Sequence, residues 1–449
     1  MPPVDAERPE ATLAAFVADL TYDAVPESAR TTIERAFVDT VGVTLAGSVA
    51  DAGARAVRFA TSVGSGETTV LGTGETASLA DAVLANGTAG HALDYDDLSW
   101  AMDGHPSVPL VAPALAVGER VDASGRDLVT AFAAGFEAEC YVAEPVSPTH
   151  YEQGWHPTST FGTFGATATA ASLLDLNAEA TARALSIAAS MPSGLKRNFG
   201  TMTKPLHAGL AGRSGVTAAL LAEDGFTADE MAISGDDGFW DRYAEGAERV
   251  ADPPGDPWRL VETGISVKAY PCCYFTHTSV ALASQLSEDH GLAAEHIEHI
   301  ETTTSRGAGD ALVHPDPETG LEAKFSMEYA LAAAVVFERV GLNAFEPAVI
   351  EDPEVQHVRE RASFAVDDTL AYKSNHARVV VETTDGTRYE GVMEAPPGTP
   401  ANPLSESELE TKFLECATRV LDRSTATEAF ANLRALRTCE SVRDLLAPL

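Results

Sequence analysis

Five short stretches hold the side chains that could do chemistry. HALDYDDLSWAMDGHPS, residues 91–107, places Asp94, Asp96, Asp97 and Asp103 ahead of His105-Pro106. GWHPT at 154–158 sets His156 before Pro157, and NFGTMTKPLHAG at 198–209 sets Lys204 before Pro205. VKAYPCCYFTH at 267–277 joins Lys268, Cys272, Cys273 and His277, while AKFSMEYALAAA at 323–334 carries Lys324 and Tyr329. A residue that precedes proline is driven into extended backbone, so each His-Pro or Lys-Pro pair fixes a polar side chain at a loop-to-helix junction. One such pair is commonly no more than a helix start. Three within these five stretches point to a site, whereas Tyr329 taken alone reads as a core aromatic.

Lys204 has a further argument. The chain holds 67 acidic residues against 30 basic ones, and only six of the basic residues are lysines, at 196, 204, 268, 324, 373 and 412. A chain so poor in lysine is expected to keep the residue where an amine is used. With Pro205 opening a helix over 205–222, Lys204 stands at its mouth beside unpaired N–H groups, which suits an anion.

The acids are weaker markers individually, because most are expected to face solvent. Asp94–Asp97 stand out because they end an apolar, Ala-rich helical run, where negative charge opposes the helix dipole. One alternative is a magnesium-dependent helical enzyme that uses Asp94, Asp96, Asp97 and Asp103 on a phosphorylated substrate, although no second acidic motif and no phosphate loop accompany them. Another is a non-catalytic, salt-tolerant scaffold. His296 and His299 enter a predicted strand at a spacing that turns them to opposite faces, so they are not expected to share a metal.

Composition narrows the classes. The formal net charge is −37, yet 45% of the residues are apolar, so the charge belongs to the surface of a globular body. This reads as a salt-adapted cytoplasmic protein of halophile type. Nucleic acid and membrane are not expected as partners, because either would need clustered cations. The five cysteines form no CxxC pair, as suits a reducing compartment, and they do not provide the cysteines of an aconitase-type iron–sulfur cluster. GSGET at 64 and GTGET at 72 lack the spacing of a dinucleotide loop and are read as turns around a short strand. No metal and no cofactor are expected. MPPVDAERPE does not resemble a signal peptide, and the long uncharged stretch 157–174 is broken up by Gly and Thr.

The elements that must position these residues follow from periodicity. Ile33, Phe37, Val41 and Leu45 repeat every four between Pro26 and Gly47, a helix with one buried face. Helical patterns recur through Leu128, Phe132 and Phe136, through the Ala/Thr-rich stretch 163–174 and through 206–222, where Gly209, Gly212 and Gly215 favour close helix packing. Beyond about 263 the pattern alternates, at IEHIETTT (297–304) and on both sides of Asp385-Gly386, a hairpin signal. APPGTPANP (395–403) resets the chain, and a capping box at Ser405–Glu408 begins terminal helices. The expected fold is mainly α: a large all-helical domain formed by both chain ends (1–262 with 399–449) and a smaller inserted α+β domain (263–398).

Taken together and in order, LDYDD with GHPS, GWHPT with FGTFGATA, NFGTMTKPLHAG, VKAYPCCYFTH and KFSMEYALAAA resemble the MmgE/PrpD family. This is the 2-methylcitrate dehydratase family, which also includes cis-aconitate decarboxylases and iminodisuccinate epimerases. The resemblance spans nearly the whole chain. It implies a helical domain with an α+β lid, usually a homodimer, an active site between the two domains, and a small di- or tricarboxylate substrate handled without cofactor. By matching motif it implies Asp94, His105, His156, Lys204, His277 and Tyr329 as site residues, with Lys268 and Tyr151 nearby. Many relatives have Asp-Asp-Thr-His where this chain reads Asp97-Leu98-Ser99-Trp100, which leaves the particular substrate open.

Breaking a bond at carbon beside a carboxylate requires that carboxylate's charge to be neutralised, a task for Lys204 and His156. Proton transfer suits histidine. The expected roles are His105 as principal acid/base, Asp94 as its orienting partner, His277 as second acid/base or carboxylate ligand, and Tyr329 as a hydrogen-bond donor closing the site. Water elimination of the 2-methylcitrate type is the expected reaction, with decarboxylation or epimerisation as alternatives.

Overall fold

The computed structural model describes residues 8–246 and 251–449. The chain folds into two compact units, 1–266 with 406–449, and 267–405.

The first unit is helical. In order it contains α1 (Pro9–Asp19), α2 (Glu27–Ser48), α3 (Asp51–Val63), α4 (Leu79–His91), α5 (Val108–Val121), α6 (Gly125–Ala143), α7 (Thr149–Glu152), α8 (Pro157–Leu173), α9 (Ala178–Ala188), α10 (Thr203–Glu223), α11 (Phe239–Ala244) and α12 (Arg259–Glu262). Three further helices, Glu406–Ala417, Arg423–Arg434 and Val442–Leu446, complete it from the far end of the chain. The near-repeat of GSGET and GTGET forms a two-stranded hairpin, β1 (Thr68–Val70) against β2 (Glu75–Ala77), where a single strand between turns was expected.

Helix α8 lies at the centre and packs against α5, α6, α9 and α10. Nearly every residue along it is buried, so its threonine hydroxyls need partners inside the helix. Thr163 and Thr167 donate to the carbonyls of Ser159 and Thr163, at 2.8 and 2.7 Å. That internal bonding lets an Ala/Thr helix run through a core at little cost.

The glycines of α10 set its distance from its neighbours. A Cβ on Gly209 would lie 2.3 Å from the Leu84 carbonyl oxygen and 2.4 Å from Thr88 Oγ1, and one on Gly215 would lie 2.5 Å from the Ala166 Cβ. Helices α4 and α8 therefore approach α10 with backbone nearly on backbone.

The second unit has a four-stranded sheet in the order β4 (Ala362–Val366), β3 (Ile297–Thr304), β5 (Ala377–Thr383), β6 (Arg388–Met393). β3 runs parallel to β4 and antiparallel to β5, and β5 pairs antiparallel with β6 across the Asp385-Gly386 turn. Gly386 takes φ +87°, and Asp385 Oδ1 accepts from the Thr387 N–H and the Thr383 hydroxyl. Helix α13 (His277–His290) and the helix Met327–Val336 bury the apolar face of this sheet in a core that includes Ile297, Ile300, Val379, Val381 and Leu331. Among the described residues no helix is long and apolar enough to cross a membrane.

Candidate active site

In the helical unit, His91, Asp94, Asp96, His105, His156, Lys204 and His207 converge, all less than a tenth exposed. Each comes from the end of an element, where side chains escape the helix ladder and backbone conformation can be special.

Helix α4, capped by Ser78 at its start, ends with His91. Asp94 then takes a left-handed backbone, φ +52°, and turns the chain back toward α10. Lys204 lies in the first turn of α10, which begins at Thr203 rather than at Pro205 as the sequence suggested. Its own N–H donates to Thr201 O. Its ammonium reaches Asp94 Oδ1 at 2.6 Å, so it is neutralised by a carboxylate of this protein. The same Asp94 oxygen stands 3.9 Å from His105 Nε2.

His105 is held from two sides. Its backbone N–H donates to Thr158 Oγ1 at 2.9 Å, tying it to the first turn of α8. Two residues on, Ser107 donates its N–H to Asp97 Oδ1 at 3.2 Å and its hydroxyl to the other oxygen of Asp97. Burial, with Asp39 adding to it, pushes the Asp97 carboxyl up to about 8 against the pull of these bonds.

The carboxylate beside His105 Nδ1 is Asp96, at 3.2 Å, though off the line of a good hydrogen bond. Asp94 was expected there. It lies instead on the Nε2 side, farther away and bonded to Lys204. Asp96 Oδ2 also accepts from His91 Nδ1 at 2.8 Å. Burial by itself would raise the Asp96 pKa, but the two imidazoles reverse this and hold it well below the usual carboxylate range.

His156 is the residue before α8 and donates its backbone N–H to Gly194 O. Its Nδ1 is 3.0 Å from Nδ1 of His207, so one of these nitrogens carries the proton and the other accepts it. Its ring stacks near His91 at 5.7 Å and meets the edge of Phe199 at 4.9 Å. Burial, with lesser contributions from His91 and Lys204, pushes the His156 pKa well down; burial likewise takes His207 to about 4. Both are neutral imidazoles at neutral pH.

The remaining sequence candidates have other surroundings. Tyr151 sits in α7, where Lys196 donates to its backbone carbonyl and lies 3.4 Å over its ring. In the second unit, His277 is fully buried as the first residue of α13; its Nε2 is 3.3 Å from the Cys272 carbonyl, which can only accept, so Nε2 carries the proton. Tyr270 and Tyr274 flank its ring. Lys268 is 1% exposed and lies close enough to bias the Cys272 thiol. Tyr329 departs from its expected role: it is fully buried in the sheet-and-helix core, and its hydroxyl donates to the Ala344 carbonyl of the same unit.

Sequence reasoning passed over His91 and gave Asp96 no role of its own. The signal was a histidine in the last turn of an apolar helix followed five residues later by an acid. Only the turn at Asp94 brings the two together. Of the six lysines, Lys204, Lys268, Lys324 and Lys412 are buried. Lys412, however, binds Asp39 and donates to the Tyr95 carbonyl at 2.8 Å, a structural use of a retained amine.

His91, Asp94, Asp96 and His105 offer ligand atoms all within 4.8 Å of one another, a spacing that a divalent ion could bridge. The ammonium already 2.6 Å from Asp94 opposes a second cation there, so the set fits a proton-handling site better than a metal centre.

Four imidazoles thus lie beside one buried ammonium and two carboxylates, groups able to bind an anion and to move a proton. The chain belongs to the MmgE/PrpD family: the profile of its N-terminal domain matches residues 11–250, and that of its C-terminal domain matches 270–435. The chain is 27% identical over 380 residues to the cis-aconitate decarboxylase of Homo sapiens, covering 81% of this chain and 79% of that protein. It is likewise 27% identical over 401 residues to a cis-aconitate decarboxylase-like protein of Aspergillus oryzae, covering 82% and 81%. The cis-aconitate decarboxylase of Aspergillus terreus matches at 24% over 391 residues, covering 80% and 79%.

Proposed function

We propose that this protein is a lyase that acts, without a cofactor, on a small di- or tricarboxylate, and that decarboxylation of cis-aconitate is its leading reaction. The observation that supports this best is the approach of Lys204 and His105 to the same Asp94 oxygen, at 2.6 and 3.9 Å. A fixed ammonium and an imidazole nitrogen then face one position, where a substrate carboxylate could be held while a neighbouring carbon is protonated. The names of the relatives favour loss of CO2 over loss of water.

In this reading Lys204 shares its charge between Asp94 and the substrate. His105, carrying a proton on Nε2 as well as on Nδ1 in the substrate complex, gives the Nε2 proton to the carbon left electron-rich when CO2 departs. His156, neutral and steadied by His207, donates a hydrogen bond to a second carboxylate. For His277 and Lys268, in the second unit, the family motif alone suggests a part in carboxylate binding.

A second reading is dehydration of the 2-methylcitrate type. It is favoured by the presence of a second imidazole, His156, beside His105, since elimination of water needs both a base for the carbon-bound proton and an acid for the departing hydroxyl.

Incubation of the purified protein with cis-aconitate, 2-methylcitrate, citrate and iminodisuccinate, followed by proton NMR of the products, decides between these. CO2 loss from cis-aconitate that disappears in His105→Ala and Lys204→Ala supports the first reading. Water loss from 2-methylcitrate supports the second. No change in any of the four substrates would overturn both.

A further inference from the structure

His91 has no part in the reaction as proposed above, yet it is a fully buried imidazole at the centre of the cluster. Its Nδ1 lies 2.8 Å from Asp96 Oδ2, and a carboxylate can only accept, so Nδ1 carries the proton. Its Nε2 is buried with no hydrogen-bond partner among the described residues. Burial, opposed by Asp96, takes its pKa down to about 4, so it remains a neutral donor at neutral pH.

Asp96 is fully buried, and its Oδ1 has no hydrogen-bond partner among the described residues. Of its two imidazole contacts the 2.8 Å bond from His91 is the shorter; His105 Nδ1 stands at 3.2 Å. The ring of His91 also meets the ring of His105 edge to face, with centroids 4.5 Å apart, and so limits its rotation.

We propose that His91 is a positioning residue: its Nδ1–H anchors Asp96, and the charge of Asp96, so held 3.2 Å from His105 Nδ1, favours a proton on that nitrogen. His105 Nε2, the nitrogen on the side of Asp94 and Lys204, is then left as the atom that exchanges the substrate proton. The kinetic part of this inference rests on His105 being the acid/base. The arrangement differs from a single His-Asp pair because the orienting carboxylate is itself oriented by a second imidazole. With Oδ1 unpartnered and His105 Nδ1 off the line of a hydrogen bond, an Asp96 that lost His91 would lose its one well-aligned side-chain donor among the described residues.

Three substitutions separate orientation from bulk. His91→Asn places an amide donor near the position of Nδ1–H, His91→Leu fills the space without a donor, and His91→Gln moves the donor toward the Nε2 position. With cis-aconitate, His91→Leu is expected to lower kcat about 10- to 100-fold, with KM changed less than about threefold, the scale on which a partner that orients another residue acts. His91→Asn is expected to recover to within about fivefold of the wild type, and His91→Gln to stay low. Wild-type turnover in His91→Leu, or His91→Asn as slow as His91→Leu, overturns the proposal.

A measurement without substrate keeps the proposal separate from the assigned reaction. In protein labelled with 15N-histidine, the His105 signals are identified by their loss in His105→Gln. They are expected to report Nδ1–H in the wild type and in His91→Asn, and a mixture of tautomers in His91→Leu. An unchanged Nδ1–H signature in His91→Leu overturns the proposal even if cis-aconitate proves not to be the substrate. Should His91→Leu fail to fold by circular dichroism, the comparison of His91→Asn with His91→Gln decides: like signatures in the two overturn it.

Discussion

Lys204 Nζ lies 2.6 Å from Asp94 Oδ1, with both side chains about nine-tenths buried. The amine that the sequence marks as an anion site is therefore held by a carboxylate of its own chain, and a substrate carboxylate would have to share it. Removing one member of a buried pair leaves the other charged in a poor solvent, at a cost of about 3 kcal/mol, whereas removing both is far milder. Lys204→Met is expected to lower unfolding stability by about that amount, and Lys204→Met with Asp94→Asn to regain most of it. Chemical denaturation of the four proteins of the double-mutant cycle tests this, and a strictly additive cycle would contradict it.

Tyr329 donates to the Ala344 carbonyl inside the core of the α+β unit. Tyr329→Phe leaves that carbonyl without its hydroxyl donor, so a loss of about 1–2 kcal/mol in stability is expected. Turnover at a temperature well below the melting transition should be unchanged. A large fall in kcat with an unchanged melting temperature would restore Tyr329 to the active site.

His150 is fully buried against Phe161, at 4.4 Å between ring centroids, with Phe239, Tyr243 and Trp155 around it. Neither ring nitrogen has a hydrogen-bond partner among the described residues, and burial pushes the imidazole down to about 3. Against about 6.5 in the unfolded chain, the folded state binds fewer protons. The stability linked to His150 is present above about 6.5 and is lost as pH falls toward 3. His150→Phe should therefore melt like the wild type near neutrality and increasingly above it as pH is lowered. Parallel melting curves from pH 7 to pH 4 would count against this.

Asp97 has the opposite sign. Burial raises its pKa to about 8, so the stability linked to its protonation is fully present below about 4 and is lost as pH rises through 8. Asp97→Asn can still accept from the Ser107 N–H and pair with the Ser107 hydroxyl. It is expected to flatten the decline between about pH 4 and pH 8, and melting temperatures from about pH 4 to pH 9 measure the effect.

Gly209 is where α10 meets α4. A Cβ there would press on the Leu84 carbonyl and Thr88 Oγ1, neither of which can yield without moving a helix. Gly209→Ala is expected to cost about 2 kcal/mol and to lower turnover beyond what stability explains, because the shift changes the distance from Lys204 to Asp94. Gly74→Ala in the β1–β2 hairpin, where an added Cβ meets nothing within 4 Å but φ is +69°, is the matched control for backbone strain alone.

Much of the fold is legible in the chain. Apolar spacing marks the helices through Ile33 to Leu45 and through Leu128 to Phe136, and alternation marks β3 and the β5–β6 hairpin around Asp385-Gly386, because these periods reflect which face of an element is buried. The small residues of α10 likewise announce close packing, and the structure gives them backbone neighbours. The β1–β2 hairpin was less visible, since two three-residue strands bear too few side chains to show a period.

The sequence by itself determined the family, the helical and α+β classes, and which residue types were available for proton transfer, since these depend on composition, local period and ordered motifs. Which carboxylate serves which base was decided only by the tertiary structure. Asp94 and Asp96 are two residues apart and chemically alike. A left-handed turn at Asp94 and the packing of α4 against α10 send one to Lys204 and the other to His91 and His105. The same holds for Tyr329, whose hydroxyl is claimed by a carbonyl fifteen residues away. Hydrogen bonds act over about 3 Å, and the chain order of residues far apart in sequence does not fix distances on that scale.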